Sequence, residues 1–119
     1  MVLYKLTSND LLDDASFAEQ WVASRSHRLG ARRIAQELSR KGVSREDADA
    51  AIEAIPEEEQ IEAAAALASR ALRRAASGED PRKTAQRVLQ QLARRGYGYD
   101  IAKQALRQAL DDVPEDLED

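Results

Sequence analysis

Two stretches decide the fold: ARRIAQELSRKGVSREDADAAI, residues 31–52, and AQRVLQQLARRGYGYDIAKQAL, residues 85–106. With Gly42 set on Gly96, Ala31 meets Ala85, Arg33 meets Arg87, and Gln36 meets Gln90. Leu38 then meets Leu92, Arg40 meets Arg94, Ala48 meets Ala102, and Ala51 meets Ala105. Ile34 pairs with Val88 and Ile52 with Leu106. A match of this extent is an internal repeat, and repeats of helical units stack into an extended surface.

Each half reads as three helices. Apolar residues recur three and four apart among strong helix formers. Ser16 and Glu19 form S-x-x-E, which predicts the start of a first helix carrying Phe17, Trp21 and Val22. Gly30 is expected to break it. A second helix is expected over 31–41, with Ile34 and Leu38 inward and Gly42 as its stop. Ser44 with Asp47 predicts the start of a third, ending near Ile55 before Pro56. The second half repeats the scheme with helices over 57–77, from Pro81 to Arg95, and 99–112. Asp80-Pro81 supplies a cap and a first-turn proline.

The expected architecture is therefore all-α: two tandem three-helix units over 13–55 and 56–112. A remnant of a preceding unit is expected over 1–12, because Val2, Leu6 and Leu11 follow the spacing of Ile34, Leu38 and Val43. Residues 113–119 read as a disordered acidic tail that screens the basic faces.

Composition narrows the function. The chain has 119 residues, 4% aromatic and 34% charged, so its cores must be thin. It lacks cysteine, and no apolar run approaches the ~20 residues that cross a membrane. A cytoplasmic protein without membrane association is expected. No phosphate loop, metal motif or nucleophile–base arrangement is present, so neither catalysis, a small-molecule substrate nor a cofactor is expected. The lone His27 reads as a surface residue.

The net charge of −4 conceals a block pattern. Six acids lie between Asp111 and Asp119, whereas Arg25–Arg45 holds seven bases and one acid, Glu37. Arg70–Arg107 holds ten bases and three acids. On a helical wheel Arg33, Gln36 and Arg40 oppose Ile34 and Leu38, and Arg87, Gln90 and Arg94 repeat that face. Packing requires inward positions to match between repeats but leaves outward ones free. A duplicated outward guanidinium stripe suits phosphates or carboxylates, although arginine-rich faces also serve simply as solvated surface. Arg25, Arg28, Arg32, Lys41 and Arg95 flank the stripe and complete the candidate binding surface. Phe17 and Trp21 read as core anchors. Tyr97 and Tyr99 read as core and helix-cap packing.

Several motifs are more specific. Asp13-Asp14 precedes Phe17-Ala18, followed by Trp21-Val22 and Arg25. Gly30, Arg33, Ile34, Glu37, Leu38, Lys41 and Gly42 follow in order, then Leu92, Arg95, Gly96 and Tyr97. This series resembles the RecX family of bacterial recombination regulators over roughly residues 10–110. The resemblance implies tandem three-helix repeats and a regulator that binds the RecA recombinase filament on single-stranded DNA. It further implies suppression of RecA's ATPase and strand exchange, with DNA contacted directly or through RecA. Family members carry more sequence ahead of the first motif. With only Met1–Asp10 there, inhibition is expected to fall short of full strength, since a shorter body spans fewer filament subunits. A general DNA-binding helical module is the competing reading, and dependence on RecA separates the two.

Overall fold

The computed structural model describes residues 9–75 and 77–112, with side chains from Asp14 onward. Most of the expected remnant and the whole of the acidic tail lie outside the described residues. Six helices follow in order: α1 (Asn9–Arg25), α2 (Ala31–Arg40), α3 (Arg45–Glu53), α4 (Glu57–Arg73), α5 (Pro81–Arg94) and α6 (Tyr99–Asp111). There is no strand among the described residues.

Local chemistry sets most of these boundaries. The Ser44 hydroxyl accepts from the Asp47 backbone N–H at 3.1 Å and opens α3. The Asp80 carboxylate accepts from the Arg82 N–H at 2.9 Å, with Pro81 in the first turn of α5. The expected start at Ser16 is not observed. Helix α1 is already formed at Asn9 and runs through Ser16, so no helix start is left there for its hydroxyl to cap.

Each unit buries its own core. In the first, Ile34 and Leu38 are fully buried among Ala18, Val22, Leu29, Val43, Ala48 and Ala51. In the second, Val88, Leu92 and Tyr97 pack with Ala64, Ala65, Ala68, Ala102, Ala105 and Ala109. The alanines on α4 and α6 let those helices approach closely, which is how a chain poor in aromatics fills its interior.

The units join at one point. The Gly30 N–H donates to the Arg95 carbonyl at 2.7 Å, and the Arg32 N–H donates to the Gly96 carbonyl at 3.0 Å. Helix α2 has no side-chain cap, and two of its orphan N–H groups are satisfied by the carbonyls that end α5. The positive end of one helix dipole thereby meets the negative end of another. The result is a rod of 62 × 23 × 21 Å.

Candidate functional site

The outward stripe is exposed as the wheel predicts. Arg33, Gln36 and Arg40 lie in solvent on α2, and Arg87, Gln90 and Arg94 on α5. Their charges are not equivalent, however. Arg33 Nε lies 3.8 Å from Glu37 Oε2. Arg87 makes a two-pronged contact with Glu79, at 2.5 and 2.8 Å. That hydrogen bond holds the Arg87 guanidinium above its ordinary value, with desolvation partly opposing. Both repeat-equivalent arginines are thus tied to an acid. Arg40 and Arg94, about two turns further along, have no ion pair among the described residues. Each stands just ahead of its turn glycine.

The flanking candidates divide into two groups. Arg25 and Lys41 belong to a cluster around Trp21. The Arg25 guanidinium carbon lies 3.3 Å from the centre of a Trp21 ring and Lys41 Nζ 4.7 Å from it. Trp21 Nε1 donates to Glu37 Oε1 at 2.9 Å, and Arg25 Nε stands 3.4 Å from the same oxygen. Glu37, the one acid of its basic stretch, therefore organises Trp21, Arg25 and Arg33 together. This corrects the expectation for Phe17, whereas Trp21 packs against the first core from its rim. Phe17 is 37% exposed and Trp21 only half-buried, with their rings 5.4 Å apart. Ala18 and Val22, on the same helix, are buried in that core.

Arg28, Arg32 and Arg95 gather at the joint between units. Arg95 Nη1 donates to the Arg28 carbonyl at 3.3 Å, and the end of the Arg32 guanidinium faces Gly98. Arg70 in the last turn of α4 and Arg74 just after it share a cavity of about 120 Å³ with Arg95. The sequence shows Arg70 only as one base of a basic stretch, because nothing local reveals that α4 and α5 bring it to Arg95. Tyr97 is buried beside the joint, where burial pushes its phenol up to about 12, with Arg95 opposing. Tyr99 opens α6 and is 65% exposed, with Lys103 Nζ 5.2 Å from its ring centre. Among the described residues no group of side chains is placed to hold a metal, and no helix is long and apolar enough to cross a membrane.

Fold and surface together define a tandem three-helix repeat protein that presents matched basic positions along a rod. The chain belongs to the RecX family. The family's model for its second three-helix domain matches residues 13–52, and that for its third matches residues 57–106. The regulatory protein RecX of Streptomyces coelicolor is 40% identical over 119 residues, which is 98% of this chain and 63% of the relative. That of Mycolicibacterium vanbaalenii is 42% identical over 108 residues, 85% of this chain and 59% of the relative. The chain thus spans about three-fifths of the length of these relatives. The crystal structure of RecX from Lactobacillus salivarius superposes with a TM-score of 0.79 at 27% identity, covering 88% of this chain and 71% of that one. The relatives carry the name of regulatory proteins.

Proposed function

We propose that this chain binds the RecA filament on single-stranded DNA and suppresses its ATPase, strand exchange and recombination activity. It acts in the cytoplasm without cofactor or catalysis of its own. The observation that carries this reading is the pair Arg40 and Arg94. They are the same residue at the same place in both repeats, solvent-facing and free of ion pairs among the described residues. A guanidinium left free at two points along a rigid rod suits a partner that is itself periodic, as a helical filament is. Arg28, Arg32, Arg33, Gln36, Lys41, Arg87, Gln90 and Arg95 form the surrounding surface, with Arg25 bracing it through Trp21.

A general DNA-binding module is the second reading, and the basic blocks at Arg25–Arg45 and Arg70–Arg107 favour it. Strand exchange by RecA, followed with single-stranded DNA in excess, separates them. A filament regulator still inhibits under excess strand, because its target is RecA. A DNA-binding module is titrated away by the excess strand.

A further inference from the structure

The Trp21 cluster has a counterpart in the second unit from which the indole is missing. Ala18 and Ala64 are both fully buried, Val22 and Ala68 are both buried, and Trp21 and Leu67 are both half-buried. That register places Leu67 of α4 where α1 carries Trp21. The repeat independently sets Gln91 on Glu37 and Arg95 on Lys41. Leu67, Gln91 and Arg95 all line one cavity of about 120 Å³, so both correspondences lead to the same place.

We propose that this cavity takes one nucleotide: a planar heterocyclic base with its phosphate. In the first unit a heteroaromatic ring is held by two cations over it, Arg25 and Lys41, and by the Glu37 carboxylate at its N–H. In the second unit Arg95 replaces the lysine and Gln91 the glutamate. A guanidinium stacks on a base as an ammonium cannot, and an amide both donates to and accepts from a base edge where a carboxylate only accepts. Arg95 is held at the rim by its hydrogen bond to the Arg28 carbonyl. Leu67 and Leu92 supply apolar surface. Arg70 and Arg74 stand beside the cavity with no ion pair among the described residues, in place to receive a phosphate. Both also offset the dipole at the end of α4, a role that leaves their charge available. The proposal deepens the proposed function, in which single-stranded DNA accompanies the filament. It needs no recombinase for its test, so the two can fail separately.

The test is the affinity of the protein for labelled oligothymidylate and for an abasic strand of equal length and charge, at one salt concentration. The strand with bases binds about ten-fold tighter, in line with base stacking on a protein platform. Leu67→Trp, which supplies the indole of the first unit, removes that difference while the melting temperature holds. Gln91→Leu, at an exposed position, serves if the tryptophan disturbs folding, and it reduces the same difference. Equal affinity for the two strands, binding to neither, or a difference that survives the substitution in folded protein would overturn the proposal. The Gln91 side-chain amide resonance distinguishes the source. A saturable shift with thymidine monophosphate alone assigns a free nucleotide, a shift with the strand alone assigns DNA, and no shift with either overturns the site.

Discussion

A β-carbon on Gly30 would stand 2.3 Å from the carbonyl carbon of Gly96, so the two units meet backbone to backbone. Gly96 has φ +97°, and a β-carbon there would lie 2.4 Å from the Arg33 nitrogen. Both positions exclude any other residue, Gly30 through contact alone and Gly96 through contact and conformation.

Gly30→Ala should therefore loosen the joint and leave the helices intact. A cost of about 1–3 kcal/mol is expected from forcing an extra carbon into a closed contact. Helicity by circular dichroism should hold, and solution scattering should report a radius of gyration above that of the parent, whose Cα value is 17.6 Å. An unchanged radius and melting temperature would show that the joint is not what fixes the rod.

Glu37→Ala tests the Trp21 cluster. It removes the acceptor of the indole N–H and the partner of Arg25 and Arg33. Trp21 is the only tryptophan, so its emission reports the change directly. A shift to longer wavelength and a loss of about 0.5–1.5 kcal/mol in chemical unfolding are expected.

Tyr97→Phe is expected to be neutral or stabilising. The hydroxyl is buried and has no hydrogen-bond partner among the described residues, so its removal deletes a desolvation cost. The phenol also gives stability a pH dependence. Its folded value near 12 lies above the unfolded value of 10.0. The native state therefore keeps a proton that the unfolded chain gives up, and stability is lost as pH rises from about 10 towards 12. Thermal unfolding across that window should steepen for the parent relative to Tyr97→Phe.

Much of this arrangement is legible in the sequence, for definable reasons. The pairing of Gly42 with Gly96 locates both units, and the spacing of Ile34 and Leu38 gives the buried face of α2, because these signals are local and periodic. The caps at Ser44 and Asp80 are legible for the same reason. Gly30 reads as a helix breaker, since its contact with Gly96 is distant in sequence. Phe17 reads as core because size and hydrophobicity do not reveal that its ring lies outside, beside Trp21. The neutralisation of Arg33 has a visible signal in Glu37, four residues on, whereas that of Arg87 depends on Glu79 in the connection before α5.

The unequal pairing of the stripe sharpens its test. Arg40→Ala with Arg94→Ala should change stability by no more than about 0.5 kcal/mol, because both side chains are exposed and unpaired among the described residues. By contrast Leu38→Ala, at a fully buried position, should cost about 2–5 kcal/mol through the cavity it leaves. A salt slope of DNA binding that falls by roughly one per lost contact would assign the arginines to phosphates. An unchanged slope with lost inhibition would assign them to an acidic protein surface.

The most direct measurement is the single-stranded-DNA-dependent ATPase of RecA, titrated with the parent protein and with the Arg40→Ala, Arg94→Ala pair. The parent should suppress turnover at near-stoichiometric or lower ratio, and the folded double variant should suppress it far less. Turnover unaffected by excess parent protein, or suppressed equally by both, would contradict the assignment of these arginines to a RecA-filament interface.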